Sequence, residues 1–325
     1  MATTTPLPSA KRPLGATGLM VTPLCMGCAD LGNTPDVYQY AVPEEQALDL
    51  IRAFFRDGLI NFVDTAAAYG DGESERRIGA VLRELGGLPD GFVLATKADR
   101  DLATGDFGGA QIRRSVERSL RLLGLDRIQL CYLHDLEWTS FERGMAPDGP
   151  VQALLRCKEE GLIEHIGLAS GPVDVEMAYL QTGLFEALIS HNRWTLLNRL
   201  AGPLWDACAG LGVAAVNAAP YASGLLASGP APDARYAYQD VPPPVLERAR
   251  ALQAICAAYG VPLAAAALQF SLRDPRIAST IVGVTRPERL AQTVELARTP
   301  ILEGMWAELE AVPPIPQDPE AGRWA

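Results

Sequence analysis

Histidine is scarce in this chain: only His134, His165 and His191 stand among 325 residues. That is too few for a barrel hydrolase whose metal ions are held by clustered imidazoles, and no metal site is expected. Cations are also outnumbered, with 28 Lys and Arg against 39 Asp and Glu and a formal net charge of −11. Binding to a phosphate backbone or an anionic membrane needs clustered Lys and Arg, and no basic run occurs here, which excludes both as principal partners. A phosphorylated small molecule, which needs only a few local donors, stays admissible. Long apolar runs are missing too: residues 261–270 form the most apolar helical stretch, far short of the roughly 20 residues that a membrane span requires. Residues 1–10 carry Thr and Pro where an export signal would carry an apolar core. Six cysteines, at 25, 28, 131, 157, 208 and 256, are scattered and read as reduced core thiols. These absences predict a cytoplasmic protein.

What is present points to a large packed core, since 48% of residues are hydrophobic and 21% charged. No linker divides the sequence, so residues 1–325 read as a single domain. Short β-branched runs alternate with longer amphipathic ones, the pattern of a parallel α/β fold. Eight candidate strands cover residues 21–26, 60–64, 92–97, 128–133, 164–169, 187–191, 213–217 and 279–283. Helical spacing occupies 43–57, 74–85 (with Ser74 as its N-cap), 110–123, 151–160, 173–181, 203–210, 245–259, 262–273 and 286–297. Eight strand–helix units favour a closed (β/α)8 TIM barrel over an open doubly wound sheet. Residues 14–22 read as a β-hairpin ahead of the first strand. Residues 221–244 form a long loop after strand seven, the length expected of a lid or clamp.

Two familiar strings mislead. Cys25-Met26-Gly27-Cys28 has the C-x-x-C spacing, but a redox pair should open a helix and a zinc site needs a second pair. Gly210 to Ala215 fits G-x-G-x-x-A, but runs from a helix into a strand. The dinucleotide fingerprint must run the other way, so that pyrophosphate meets the helix N-terminus.

Chemistry gathers elsewhere. Asp64, Lys97 and His134 stand at the C-terminal ends of three successive candidate strands, and Tyr69 follows Asp64 in the next loop. In a barrel those ends converge on one rim, where active sites are built. Singly each has an ordinary structural role: a strand-end cap, an aromatic plug, an exposed lysine, a satisfied histidine. Together they make a proton-transfer device. A tyrosine hydroxyl titrates near 10, too high for easy exchange at neutral pH, and a neighbouring ammonium would favour the phenolate. Lys97 can supply that charge, Asp64 can hold Lys97, and His134 can donate a hydrogen bond to a substrate oxygen.

These residues resemble the aldo-keto reductases. The family's Asp/Tyr motif is matched by Asn61-Phe62-Val63-Asp64-Thr65-Ala66 with Tyr69-Gly70. Its lysine strand is matched by Ala95-Thr96-Lys97, and its histidine strand by Tyr132-Leu133-His134-Asp135. The resemblance runs from Arg12 to about Leu296. It implies Asp64, Tyr69, Lys97 and His134 as catalytic residues, with Tyr69 the acid/base, and NAD or NADP as the cofactor. A narrower resemblance, carried by Asn192 to Leu197, Asn217 to Leu226 and Ala264 to Phe270, is to the branch with L-fucose, L-galactose and related aldose 1-dehydrogenases and pyridoxal dehydrogenase. Members of that branch oxidise the anomeric carbon of a sugar to a lactone, or reduce small aldehydes.

The cofactor contacts that the resemblance implies are Gly27, Ser170, His191, Ser223, Gly224, Leu226, Gly283, Arg286 and Arg289. Several depart from the family pattern. Ala169-Ser170 stands where Ser-Asn is frequent, His191 where a Gln is frequent, and Asn217 or Ala218 where an aromatic usually stacks on nicotinamide. Gly283 replaces the lysine that usually meets the 2′-phosphate of NADP. Arg286 and Arg289 could grip that phosphate or stack on adenine, or simply begin a solvated helix. Ser223, Gly224 and Leu226 would lend backbone N–H groups to the pyrophosphate. Trp138 could wall a sugar or aromatic substrate, or pack on the rim. The expected partner is a small sugar or aldehyde, and the expected state a monomer or small homo-oligomer. The rival readings are an aldehyde or ketone reductase of the same fold, a non-catalytic cofactor-binding subunit, and a metal-dependent barrel hydrolase.

Overall fold

The alternating runs assemble as one closed parallel barrel. A computed structural model describes residues 10–38, 40–231 and 234–321. Its barrel strands are β1 (Leu24–Gly27), β2 (Phe62–Asp64), β3 (Val93–Ala98), β4 (Ile128–His134), β5 (Ile163–Ser170), β6 (Ala187–His191), β7 (Ala214–Ala218) and β8 (Ile277–Gly283). Each pairs with its neighbour in sequence, and β8 closes on β1 with Ile281 opposite Cys25 and Gly283 opposite Gly27. Residues 1–9, most of the stretch read as lacking an export core, lie outside the described residues.

Period-two alternation decides which side chain goes where. On β4, Leu130 and Tyr132 point into the barrel beside Phe62, Ala95, Ala169, Ile189 and Val216. Cys131 and Leu133 point outward and pack with Ile112, Val116 and Leu154 of the surrounding helices. Alanines at 95, 169, 187 and 214 leave interior volume for the rings of Phe62 and Tyr132. The helix Glu44–Asp57 buries Ala47, Leu50, Ile51 and Phe54 at helical spacing, and Gly58 ends it in a left-handed conformation, donating its N–H to the Phe54 carbonyl. All six cysteines are free and buried.

Several local expectations need correction. The hairpin pairs Arg12–Pro13 with Met20–Val21, and its Leu14 and Val21 close the barrel floor. Ser74 does not cap a helix: the helix is Glu73–Leu85, with Gly72 at the N-cap. The Ser74 hydroxyl is buried, donating to the Cys28 carbonyl at 2.8 Å and sharing a 2.9 Å hydrogen bond with Thr65. Residues 221–244 are not wholly irregular. They hold a short helix, Leu225–Ser228, and a strand pair, Arg235–Tyr236 with Gln239–Asp240. A helix at Glu303–Ala311 lies beyond the helical runs expected from the sequence. Its Met305, Trp306 and Leu309 pack with Val245 and Leu252 of the helix Pro243–Ala258. No single described helix is long and apolar enough to cross a membrane.

Helix Glu73–Leu85 meets helix Gly109–Leu123 at Gly79, where an added Cβ would stand 1.9 Å from the Leu122 carbonyl oxygen. Helix preference alone favours Ala over Gly by about 1 kcal/mol. Forcing two backbones apart costs about 1–3 kcal/mol, and the second effect prevails because a main-chain atom cannot rotate away. Gly79→Ala is therefore expected to lower the thermal midpoint. A raised midpoint in a calorimetric scan would mean that the helices part freely.

Candidate active site

The C-terminal rim of the barrel brings Asp64, Tyr69, Lys97 and His134 together. Asp64 ends β2 opposite Ala95 of β3, which places Lys97 one strand period further on, with its side chain on the same face as that of Ala95. The chain leaving β2 keeps to the edge of β3: Thr65 N–H donates to the Ala95 carbonyl at 3.0 Å and Ala67 N–H to that of Lys97 at 3.1 Å. That path delivers Tyr69 above Lys97. The turn is fixed by Gly70, at φ +63°, where a Cβ would come within 2.0 Å of the Gly32 carbonyl oxygen. Only glycine allows that approach.

Lys97 is the hub. Its Nζ donates to Asp64 Oδ2 at 2.5 Å, to the Thr65 carbonyl at 2.9 Å and to the Tyr69 hydroxyl at 3.1 Å. An ammonium has three donors and no acceptor, so the Tyr69 oxygen must accept here, leaving its own proton to point elsewhere. Both charged side chains of the Lys97–Asp64 pair are 3% exposed. Burial raises the Asp64 carboxyl despite Lys97.

The effect on Tyr69 is opposite to expectation. Burial is the largest influence and pushes its hydroxyl well above the usual range, with Asp64, Tyr238, Asp99 and Asp135 pushing the same way. The ammonium does not yield a phenolate because Asp64 already answers its charge. Tyr69 in this structure keeps its proton.

His134 ends β4, with its ring edge-on to that of Tyr69 and the ring centroids 6.0 Å apart. Its Nδ1 lies 2.6 Å from Asp99 Oδ1. Asp99 was missed in the sequence, although a signal existed: it stands two residues past Lys97, on the same side of an extended chain. Behind it lies Glu75, fully buried, whose Oε1 accepts from the Thr96 hydroxyl at 2.5 Å.

The expected cofactor residues occupy the same rim, but several of their polar atoms are already engaged. Ser170, at the end of β5, donates to Glu137. His191, at the end of β6, has Nε2 2.9 Å from Glu320 Oε2. Glu320 belongs to a C-terminal segment that sequence reasoning passed over. With Asp318 it meets the buried Arg193 guanidinium at 2.7–2.9 Å. The amides of Gly224 and Leu226 both donate to the Tyr221 carbonyl, and the Ser223 hydroxyl accepts from Tyr238 N–H at 3.1 Å. Gly27 and Gly283 face each other where β1 meets β8, with Asp30 Oδ2 2.6 Å from where a Gly283 Cβ would be.

Arg286 and Arg289 are exposed at the start of the helix Pro287–Arg298, whose N-cap makes no side-chain hydrogen bond. A helix N-terminus beside two guanidinium groups suits a nucleotide phosphate, so the charged donors present fit a nicotinamide dinucleotide. Trp138 is half-exposed on the rim, with the Arg100 guanidinium 4.3 Å from its ring centroid.

Burial pushes the Glu75 carboxyl up to about 7 from an ordinary 4.5, with the Thr96 hydrogen bond opposing in part. The folded state thus holds this proton more tightly than the unfolded chain, and stability is lost as pH rises between those two values. Glu75→Gln should match the wild-type melting temperature near pH 4 and exceed it at about pH 8. An equal difference at both pH values would show that Glu75 ionises normally in the fold.

Comparison with known proteins agrees with this geometry. The model of the aldo/keto reductase family matches residues 23–313. A D-threo-aldose 1-dehydrogenase from a Pseudomonas species is 35% identical over 93% of this chain and 97% of its own length. An L-galactose dehydrogenase from Arabidopsis thaliana is 29% identical over 93% of each chain. The holo form of an aldo-keto reductase from Bacillus halodurans superposes with a TM-score of 0.74, at 25% identity, over 94% of this chain and 96% of that one. The chain therefore belongs to the aldo/keto reductase family and is an NAD(P)-dependent oxidoreductase built on the (β/α)8 barrel.

Proposed function

We propose that this enzyme oxidises the anomeric carbon of an aldose to a lactone, with Tyr69 as the proton-transferring group. The observation that carries this reading is the Lys97 hub, which ties Asp64 and Tyr69 into one hydrogen-bonded unit at the mouth of the barrel. Likeness to an aldose 1-dehydrogenase supports a sugar as the substrate. The nicotinamide cofactor, when bound, accepts or supplies the hydride. The protein orients the substrate oxygen between Tyr69 and His134 and moves its proton through Tyr69. Arg286, Arg289 and the loop bearing Ser223, Gly224 and Leu226 would hold the phosphates. Ser170 and His191 would meet the carboxamide once they release Glu137 and Glu320. Gly27 and Gly283 would line the cofactor groove and Trp138 the substrate side. Six buried free cysteines support a reducing compartment such as the cytoplasm.

A second reading, reduction of small aldehydes or ketones, is favoured by one observation. Tyr69 keeps its proton, which suits a donor to a carbonyl oxygen. In the oxidative direction the same group must first be deprotonated, so sugar oxidation is expected to rise with pH across the alkaline range.

Following nicotinamide absorbance with L-fucose, L-galactose and D-arabinose against NAD and NADP, and small aldehydes against the reduced cofactors, separates the two. Sugar turnover that Tyr69→Phe lowers by about 10²-fold or more supports the main reading. Turnover with aldehydes alone selects the second. Unchanged turnover in Tyr69→Phe overturns the assigned chemistry.

A further inference from the structure

His134 is held from behind by a side chain that the proposed chemistry does not use. Asp99 lies just past β3 and its side chain is 5% exposed. One oxygen, Oδ1, is 2.6 Å from His134 Nδ1, and the other, Oδ2, accepts from Ala68 N–H at 2.8 Å. The backbone of Asp99 is itself pinned: its N–H donates to Ser115 Oγ at 3.0 Å and its carbonyl accepts from Gln111 at 3.2 Å. The carboxylate therefore cannot swing away from the ring without breaking the turn that leads to Tyr69.

An ionised carboxylate only accepts hydrogen bonds, so Nδ1 must be the donor in this contact. A neutral imidazole carries one proton. If Nδ1 holds it, Nε2 offers a lone pair, and Nε2 can donate only when the ring carries a second proton. Nε2 takes no part in the Asp99 contact, and the ring lies edge-on to that of Tyr69. Asp135 Oδ1 is the nearest anion to Nε2 at 3.4 Å, too long for a good hydrogen bond.

We infer that Asp99 is a positioning residue that fixes the tautomer of His134, so that the histidine donates to a substrate carbonyl as an imidazolium and accepts from a substrate hydroxyl when neutral. Deepening the reading of this rim as the reaction site, the inference gives the dyad a specific task. One proton on Nε2 decides whether the site prefers the carbonyl or the alcohol form of its substrate.

The surrounding charges favour the charged ring. Lys97 on β3 opposes it, while Asp99 beyond β3, Asp135 beyond β4 and Asp64 on β2 favour it, with Tyr69 opposite and Glu75 behind Asp99. Burial alone would lower the His134 value, but Asp135 and Asp99 outweigh it and push it up to about 9. The imidazolium is then the main form at neutral pH, which suits carbonyl reduction, and the neutral ring appears in the alkaline range where oxidation is favoured.

The test is a nitrogen-15 NMR titration of the histidine rings in the full chain. With only three histidines in the sequence, His134 can be assigned by comparison with His134→Gln. The expected result is a midpoint at about 9, with the neutral ring protonated at Nδ1. A neutral ring protonated at Nε2 overturns the inference, and this reading needs no Asp99 variant. In Asp99→Asn the midpoint should fall by about one unit or more, with the Nε2–H tautomer becoming populated. The alkaline limb of carbonyl reduction should move down by the same interval, and Asp99→Glu should restore part of it.

A role confined to holding the turn would lower turnover in Asp99→Asn while leaving midpoint and limb in place, which also overturns the inference. The titration requires no substrate. Survival of activity in Tyr69→Phe would thus sink the proposed function without touching the dyad. A midpoint that moves while the limb stays would instead break the link between the dyad and reduction.

Discussion

The buried ammonium of Lys97 is the constraint on which the rest of the site depends. A cation this deeply enclosed would cost several kcal/mol to bury unpaired, and its three donors need three acceptors. They find them on different parts of the chain: the Asp64 carboxylate at the end of β2, the Thr65 carbonyl just beyond, and the Tyr69 hydroxyl after the turn. Satisfying Lys97 therefore requires β2 and β3 to pair in one register and the Gly70 turn to close against Gly32. The geometry the chemistry needs is the one in which this charge is accommodated, so folding and preorganisation are a single event.

The same pairing explains why Tyr69 retains its proton. Seen alone, an ammonium 3.1 Å from a phenol oxygen should favour the phenolate. Here Asp64 contacts Lys97 more closely than Tyr69 does, so the pair presents little net charge to the ring. What remains is desolvation and the carboxylates of Asp99 and Asp135, all of which oppose ionisation. Neighbouring buried acids respond to the same surroundings: Glu75, Glu137 and Glu176 are all raised, chiefly by burial. Limiting how many of them ionise keeps negative charge from accumulating beneath a site that must admit an anionic cofactor.

Much of this was legible in the amino-acid order. Barrel strands announce themselves through β-branched runs of fixed period, and all eight candidate positions overlap the observed strands. The four rim residues were legible because three fall at strand ends and Tyr69 follows one of them in the next loop, and in a parallel barrel those ends converge. Less visible were features set by contacts remote in sequence. Asp99 carried a local sign, its spacing from Lys97, but its partner His134 is 35 residues away. Glu75 looks like an ordinary acid in the first turn of a helix until the fold presses it against Thr96. Ser74 looks like a cap because short polar residues favour that place, yet a buried carbonyl and a buried hydroxyl, those of Cys28 and Thr65, draw its hydroxyl inward. The Tyr69 shift could not be read from residue types, because its direction is set first by burial and then by the surrounding carboxylates, both of which follow from the fold.

The rim thus divides into two halves with different energetics. Around β2, β3 and β4 the reacting groups are already hydrogen-bonded in a fixed arrangement. Around β5 and β6 the groups that would hold the carboxamide are instead satisfied internally, Ser170 by Glu137 and His191 by Glu320. The latter contact is anchored by Arg193, whose side chain is wholly buried between Asp318 and Glu320. A bidentate pair of this kind exchanges its partner only for a group of comparable hydrogen-bonding power. On the proposed reading of Ser170 and His191, cofactor binding would replace existing hydrogen bonds, whereas the proton-transfer geometry would need no rebuilding. On that reading the adjustable cost falls on association and the chemical step stays preorganised, so changes on the C-terminal segment would act on cofactor affinity before they act on the chemistry.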